Sequence, residues 1–327
     1  MADSRAELAE RFGDRLKKDE PLAKHVNFRI GGPADAYLEA KTTQDAVDAI
    51  RIARSRNIPW VIIGGGSNVL IADAGFRGLV IQTAFRGWRQ DGNRVTADAG
   101  VLSAFLARAT VDAGLTGFEW AIGLPGTIGG AVRGNAGCFG GEMKDSVETV
   151  RIYDPGSDAE RLMTWAECKF KYRDSIIKHM NPAPVVLDVT LTLGPGDKKV
   201  GKSRLDEIIR ARKEKQPQGA SSAGCMFKNV TLNGKEDLWK LRQETDIPSE
   251  FMEAKSIPAG WLIDQADLKG TKIGDAEVSD KHGNFCLNRG AATADQVMQL
   301  VSLIKTKIRN RFGVQLEEEV QLIGFDS

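Results

Sequence analysis

Two glycine-rich turns in the first half of the chain have the composition of an anion-binding backbone. The first is Gly64-Gly65-Gly66-Ser67-Asn68, which follows an apolar run, and the second is Gly123–Gly130. Glycine has no Cβ, so main-chain N–H groups in such turns can approach an anion closely. Two of them on one chain predict a pyrophosphate held from two sides. The alternative is that they join buried strands and bind nothing.

Neither turn has the spacing of a common nucleotide-binding motif. A G-x-G-x-x-G pattern starting at Gly64 would need glycine where Val69 stands. The pattern G-x-x-x-x-G-K-S/T occurs nowhere in the sequence, which argues against a P-loop ATPase.

Two further segments carry side chains suited to acid–base or anion chemistry. Arg173, within Phe170–Ser175, could hold a carboxylate through two parallel hydrogen bonds, or it could pair with Asp174. Cys225 lies among small residues in Ser221–Asn229, where the backbone can come close to a ligand. The alternative for Cys225 is a buried structural cysteine in a tight turn.

A third segment, Leu316–Val320, contains three consecutive carboxylates. As part of a strand over Val314–Ile323, it would place Glu317 and Glu319 on one face. Glu318 would then interrupt the apolar face. Like charges this close repel unless a cation lies near them. The alternative is a solvated edge strand whose acidic residues only prevent aggregation.

Local patterns predict the elements that position these segments. Thr293 and Gln296 form a capping-box signature before an apolar helical stripe that Gly313 ends, and Gly194–Asp197 is the best linker candidate. The polar stretch Met1–Lys18 is expected to form a leading helix. Apolar periodicity and turn residues predict helices over Thr43–Asn57, Leu102–Ala113 and Lys202–Lys213, and strands over Trp60–Ile63, Leu79–Ile81 and Val185–Leu193.

Composition narrows the class of protein. The 327 residues carry a formal charge of +1, whereas a dedicated nucleic-acid binder should show a basic excess. We find no apolar run near the length of a membrane span, and the polar stretch Met1–Glu20 does not resemble a signal peptide. The scattered cysteines predict free thiols in a reducing cytoplasm, and the three histidines have no metal-site spacing.

The ordered set of motifs resembles the UDP-N-acetylenolpyruvoylglucosamine reductases over about residues 27–324. The matching segments are Asn27–Ala34, both glycine turns, Tyr172–Ser175, Lys215–Pro217, Ala223–Asn229, Ala259–Gln265, Leu268–Gly270 and Leu316–Val320. The resemblance implies an α+β fold with a vanillyl-alcohol-oxidase (PCMH)-type FAD-binding domain and a smaller α+β substrate-binding domain. We expect a polar helix over 1–20, the FAD-binding domain with two lobes over 21–196, and the substrate-binding domain over 197–327.

The resemblance also implies the reaction. NADPH would reduce non-covalently bound FAD, which would in turn reduce UDP-N-acetylglucosamine enolpyruvate to UDP-N-acetylmuramate for peptidoglycan synthesis. It implies no nucleic-acid, membrane or obligate protein partner. The residues expected to contact FAD are Gly64, Gly65, Gly66, Ser67, Asn68, Gly123, Gly126, Thr127, Gly129 and Gly130.

By the same resemblance, Arg173 and Glu319 stabilise the enolate formed beside the substrate carboxylate. Cys225 occupies a position where many members of the family have the serine that donates a proton. A thiol has a reference pKa near 8.5, so it gives up a proton more easily than an alcohol.

The residues expected to bind substrate are Tyr172, Lys215, Asn229, Lys269 and His282. The short interval Ser175–Ser222 indicates the subtype that lacks an extra substrate loop. Two other functions stay open at this point: an FAD-dependent carbohydrate or hydroxy-acid oxidase on the same fold, and a non-catalytic nucleotide-sugar-binding protein.

Overall fold

The computed structural model describes residues 6–232 and 238–325. Its α-helices are α1 Ala6–Phe12, α2 Thr43–Ser55, α3 Ser103–Asp112, α4 Ile128–Arg133, α5 Trp165–Cys168, α6 Lys198–Lys215, α7 Trp239–Glu244, α8 Ser249–Glu253, α9 Ala259–Gln265 and α10 Ala294–Phe312.

The strands up to residue 154 are β1 Leu16–Pro21, β2 Pro33–Ala40, β3 Trp60–Ile63, β4 Val69–Ile71, β5 Phe76–Thr83, β6 Trp88–Asp91, β7 Arg94–Asp98, β8 Leu115–Thr116, β9 Gly137–Cys138, β10 Gly141–Glu142 and β11 Val147–Asp154. Those that follow are β12 Ala159–Thr164, β13 Val185–Thr192, β14 Gly194–Pro195, β15 Val230–Thr231, β16 Ser256–Ile257, β17 Lys272–Ile273, β18 Ala276–Val278, β19 Cys286–Asn288 and β20 Gln321–Ile323.

The chain folds into two compact units, each with its own hydrophobic core. Unit 1 comprises residues 6–20, 34–66 and 76–214. Unit 2 comprises 21–33, 67–75 and the described residues from 215 onward. This division differs from the expected domain boundary after residue 196, because α6 packs Leu205 into the core of unit 1.

Unit 1 is built on two larger sheets, beside which the short strands β8-β14 and β9-β10 form two antiparallel pairs. One has the strand order β1-β2-β5-β3, in which β5 pairs in parallel with β2 and β3. The other is antiparallel, with the order β12-β11-β13-β7-β6. The apolar positions that predict α2 and the central strand β13 are buried in this unit, so both predictions are confirmed.

The expected N-terminal helix over Met1–Lys18 is wrong for its second half; Met1–Arg5 lie outside the described residues. Helix α1 ends at Phe12, and Gly13 takes a left-handed φ of +55°. Leu16 then begins β1, where it is buried beside the sheet. Leu8, Phe12 and Leu16 are four residues apart, as on one face of a helix, yet Leu16 lies in a strand. Apolar periodicity alone does not show where the helix ends.

Unit 2 packs α10 against short strands. Antiparallel β17-β18-β19, antiparallel β15-β16 and parallel β4-β20 make up its sheets within the described residues. The capping box of Thr293 and Gln296 is present, and Gly313 ends the helix in a left-handed conformation with φ +72°. Both features were predicted and are confirmed.

The expected strand over Val314–Ile323 is confirmed only for its last part, β20. Val314, Leu316 and Val320 are buried as predicted, but Leu322 is exposed and Ile323 is buried. The alternation therefore changes phase between Val320 and Ile323, where the chain begins to pair with β4. A strand partner decided this register, and the partner lies far away in sequence.

Candidate active site

The two glycine turns meet within unit 1. A Cβ placed on Gly64 would lie 2.3 Å from Thr127 Oγ1, and one on Gly65 would lie 2.8 Å from Gly126 Cα. Gly126 has a φ of +98°, and Gly66, the last residue of unit 1 in this turn, has a φ of +62°. The turns touch backbone to backbone, so the glycines are required by this close approach as well as by any ligand.

The residues at this junction fit the phosphate end of a dinucleotide cofactor. The hydroxyl of Thr127 is buried and has no hydrogen-bond partner within the described part of the chain. Thr127 is also the residue before α4, yet its side chain does not cap that helix. A buried, unused hydroxyl is costly, so a ligand oxygen is a natural partner for it.

The remaining glycines of the second turn have different surroundings. Gly129 donates its main-chain N–H to Ala99 O at 2.9 Å, and its Cα faces the Ala99 side chain, so its N–H is engaged inside the unit. The Gly123 carbonyl accepts a hydrogen bond from Arg212 on α6. Gly130 has open space, with Thr127 Oγ1 at 3.8 Å from a built Cβ.

Arg173 lies at the tip of a two-residue turn in unit 1. Lys171 and Asp174 close the turn with reciprocal main-chain hydrogen bonds of 2.9 and 3.2 Å. Arg173 itself has a left-handed φ of +53°, and its guanidinium lies over the ring of Tyr172. A non-glycine residue is strained in this conformation, and strain of this kind is concentrated at functional sites.

Two buried polar residues fix the ends of that turn. Asn135, which is fully buried, donates to Lys171 O at 2.8 Å and to Glu142 Oε2 at 2.6 Å. Ser175, also buried, donates to Arg133 O at 2.7 Å. The base of the turn is therefore anchored on both sides, and at its tip Tyr172 is exposed and Arg173 is half-buried.

In unit 2, hydrogen bonds connect the segment that carries Cys225 to the segment that carries Glu319. Cys225 pairs with Phe285 on one side of its strand-like segment. On the other side, Glu319 donates its main-chain N–H to Met226 O at 2.8 Å, and Phe227 pairs with Glu318. The two predicted acid–base residues therefore lie on adjacent segments in fixed register, although nothing local in the sequence joins them.

The end of the first glycine turn belongs to the same arrangement. Asn68 donates from its side chain to Glu319 O at 3.2 Å, and its own carbonyl accepts from Gln321 N at 3.0 Å. A residue predicted to contact the cofactor thus lies directly beside a residue predicted to be catalytic. Both contacts are made within unit 2.

Neighbouring lysines balance two of the three consecutive carboxylates. Lys228 lies 3.2 Å from Glu317, and Lys305 lies 2.8 Å from Glu318. These are the cations that the sequence predicted must lie near. A cavity of about 410 Å³ beside α10 is lined by Lys305 and Glu318 but by neither Cys225 nor Glu319, so we assign it no part in the reaction.

The predicted substrate-binding residues are distributed over both units. Tyr172 is partly exposed, and Lys215 is exposed at the end of α6. The Asn229 amide oxygen accepts from Ala259 N at the start of α9, at 3.2 Å. Lys269 pairs with Asp264 at 2.7 Å.

His282 has a structural contact that the sequence did not indicate. Its Nδ1 accepts from Asn284 N at 3.3 Å. Burial lowers the pKa of the His282 imidazole, which favours the neutral ring that such an acceptor needs. The contact supports the scaffold interpretation of His282, while its binding to substrate stays a prediction.

The sequence did not indicate the buried amides of Asn135 and Asn284, or the hydrogen bond that Arg212 donates to the Gly123 carbonyl. Asn135 adjoins a glycine within the second glycine-rich region. Nothing in the sequence shows that Asn135 is buried and has a left-handed φ of +42°. The cysteines are free thiols, and burial raises the pKa of Cys138 to about 11 and that of Cys286 to about 12.

Among the residues of known placement, no group of His, Cys, Asp and Glu could hold a metal ion.

Two protein families match this chain and define its class. Residues 34–162 match the family described as "FAD binding domain", and residues 216–323 match "UDP-N-acetylenolpyruvoylglucosamine reductase, C-terminal domain". The expected α+β organisation, an FAD-binding domain followed by a smaller domain, is confirmed. The chain is an FAD-dependent oxidoreductase.

Individual relatives then define the family. The UDP-N-acetylenolpyruvoylglucosamine reductase of Clostridioides difficile is 37% identical over 95% of this chain and 94% of its own. That of Desulfosudis oleivorans is 38% identical, with 96% of each chain covered. The crystal structure of the reductase from Thermus caldophilus superposes with a TM-score of 0.72 at 32% identity, covering 94% of this chain and 99% of that one. The chain belongs to the UDP-N-acetylenolpyruvoylglucosamine reductase family.

None of the helices in the described ranges is long and apolar enough to cross a membrane.

Proposed function

We propose that this protein reduces UDP-N-acetylglucosamine enolpyruvate to UDP-N-acetylmuramate with NADPH as the electron donor, in the cytoplasm. The observation that carries the proposal is the hydrogen-bonded register of Asn68, Glu319 and the Cys225 segment. It brings a predicted cofactor residue, an acidic residue and the cysteine predicted to donate a proton into one small region of unit 2. Family membership supplies the substrate.

When bound, FAD would supply the hydride chemistry between NADPH and the methylene carbon of the enolpyruvyl group. The turns at Gly64–Asn68 and Gly123–Gly130 are proposed to hold its diphosphate. The Thr127 hydroxyl is the side-chain donor whose setting best fits that role.

The protein must stabilise the negative charge that develops beside the substrate carboxylate. Arg173 is proposed to supply the positive charge, and Glu319 is proposed to act as its acidic partner. Preorganised charges of this kind, aimed at a developing oxyanion, are often the largest single contribution to catalysis. The fixed backbone of Glu319 supports such preorganisation, since both of its main-chain polar groups are hydrogen-bonded.

The proton that completes the reaction is proposed to come from the Cys225 thiol. It would pass from Sγ to the carbon next to the substrate carboxylate, leaving a thiolate. Gly224 precedes Cys225 with a φ of +79° and no atom within 4 Å of a built Cβ, so the backbone beside the thiol is open. The thiol must be protonated to act, and the proposed activity should therefore fall as Cys225 ionises.

An anaerobic spectroscopic titration of the purified protein tests this function. We expect the flavin absorbance to bleach on adding NADPH and to return on adding UDP-N-acetylglucosamine enolpyruvate. Recovery with oxygen but not with the enolpyruvyl substrate would overturn the proposal in favour of an oxidase. A protein that binds the UDP-sugar but stays colourless after FAD is supplied would contradict the cofactor assignment.

A further inference from the structure

The side-chain amide of Asn284 forms a buried double contact with the segment that carries Cys225. Its Oδ1 accepts from Phe227 N at 2.9 Å, and its Nδ2 donates to Phe227 O at 2.8 Å. Only 3% of the residue is exposed. Asn284 lies 57 residues from Phe227 in sequence, so tertiary structure alone brings the two together.

The main chain explains why a side chain is needed there. Cys225 pairs with Phe285 in an isolated antiparallel bridge, in which Met226 donates its N–H to Asn284 O at 2.7 Å. The pairing then stops, because the chain turns at His282, whose carbonyl accepts from Phe285 N at 3.0 Å. The Asn284 amide supplies the next pair of hydrogen bonds in place of the missing backbone.

The segment held in this way is the one that aligns both proposed acid–base groups. Its opposite edge accepts the main-chain N–H of Glu319 at Met226 O and pairs Phe227 with Glu318. Asn284 therefore fixes a segment that has Cys225 at one end and Glu319 alongside. An apolar side chain at this position would leave the N–H and the C=O of Phe227 buried without partners.

We propose that Asn284 is a positioning residue, which holds the Cys225 thiol and Glu319 in the arrangement that proton delivery requires. The inference rests on the proposed function, because it concerns the half-reaction with the enolpyruvyl substrate. Asn284 acts on the reaction through the backbone of residues 225–227. Proton transfer needs hydrogen-bond reach, so a shift of about 1 Å in the donor can cost about 100-fold in rate.

Three substitutions separate this role from a general loss of stability. Asn284→Ala removes both amide contacts. Asn284→Asp keeps an acceptor for Phe227 N but loses the donor to Phe227 O. Gln296→Ala is the matched control in the same unit, since it removes two side-chain contacts, to Thr293 N and Asp275 N, that do not reach the Cys225 segment.

Each variant is measured as the FAD-loaded enzyme in two anaerobic half-reactions and by amide hydrogen exchange. For Asn284→Ala we expect flavin reduction by NADPH within about 2-fold of wild type and reoxidation by the enolpyruvyl substrate about 10- to 100-fold slower. The Phe227 amide should exchange faster in Asn284→Ala and remain protected in Asn284→Asp. Gln296→Ala should leave both half-reactions and Phe227 exchange unchanged.

The outcomes distinguish the inference from the function on which it rests. Normal reoxidation in Asn284→Ala despite faster Phe227 exchange would overturn the positioning role and leave the proposed function intact. Equal slowing in Gln296→Ala would show that lost stability, not position, is responsible. If the wild-type flavin were not reoxidised by the substrate at all, the proposed function itself would fail. Should Asn284→Ala not fold, the Asn284→Asp variant gives the same test, with slower reoxidation expected.

Discussion

Arg173 in unit 1 and the Cys225–Glu319 pair in unit 2 are held in opposite ways. Arg173 is half-buried in a two-residue turn with a left-handed backbone, and Asn135 and Ser175 hold the base of that turn. Cys225 and Glu319 lie in segments that are hydrogen-bonded to neighbours on both sides.

The difference follows from the chemistry that each group is proposed to perform. The attraction between charges falls slowly with distance, so an arginine can stabilise an anion from a range of positions. A proton moves only within hydrogen-bond reach, so its donor must be held in place. A charge can therefore be placed on a turn, whereas a proton donor needs a segment that hydrogen bonds fix on both sides.

The largest expected effect is on the thiol. Cys225→Ala should lower turnover by about 100- to 10,000-fold, the usual contribution of a general acid, while flavin reduction by NADPH survives. Cys225→Ser should retain activity and move the alkaline limb of the pH–rate profile upward, because an alcohol ionises at far higher pH than a thiol. Stopped-flow measurement of both half-reactions provides the check. Normal turnover in Cys225→Ala would mean that another group donates the proton.

The next effect should come from removing the arginine. Arg173→Asn should lower turnover by about 100- to 1,000-fold, the usual loss when one such stabilising donor is removed. The melting temperature should not fall, because asparagine tolerates the φ of +53° better than arginine does. Lys169→Asn is the matched control, since Lys169 has a similar φ of +48° at the end of α5. A clear drop in melting temperature in Arg173→Asn would contradict the strain at this turn.

A smaller effect is expected at the base of the turn. Ser175→Ala removes the hydrogen bond to Arg133 O and should lower kcat/KM by about 3- to 10-fold, corresponding to roughly 1 kcal/mol. Thr110→Val is the control, because Thr110 makes a comparable buried bond to Ala107 O at 3.0 Å within α3. Steady-state kinetics would show the difference. A loss as large as that of Arg173→Asn would mean that this turn needs the same precision as the segment of the proton donor.

The smallest effect on activity is expected at an ion pair that serves stability alone. Arg289 and Lys272 lie 2.7 and 3.1 Å from the buried Glu277 carboxylate, and the hydrogen bond from Arg289 is the main cause that lowers its pKa to about 2. The folded-state value lies below the unfolded one, so this stabilisation is present above about pH 4.5 and is lost as pH falls towards 2.

Glu277→Gln should remove that pH dependence and cost about 3 kcal/mol or less of the free energy of unfolding at pH 7. Turnover should be unchanged. Urea unfolding at pH 7 and at pH 3 measures the effect, and an equal loss at both values would contradict the ionic origin.

Sequence patterns predicted the elements that are stabilised by contacts between residues close together in the chain. Helix α2 and helix α10 with its capping box follow from apolar spacing and terminal residues, because the contacts involved lie within a few positions of each other. The glycine turns were equally visible, since their conformational freedom belongs to the residue type.

The sequence could not predict what depends on distant partners. It did not show that Gly65 faces Gly126, that α6 packs into unit 1, or that β4 sets the register of Ile323. The sequence by itself determined that this chain has glycine turns, a thiol and carboxylates, and only its resemblance to a family predicted flavin chemistry for them. Only the tertiary structure decided that Asn284 and Glu319 secure the Cys225 segment from either side, because those hydrogen bonds form between segments that meet only when the chain is folded.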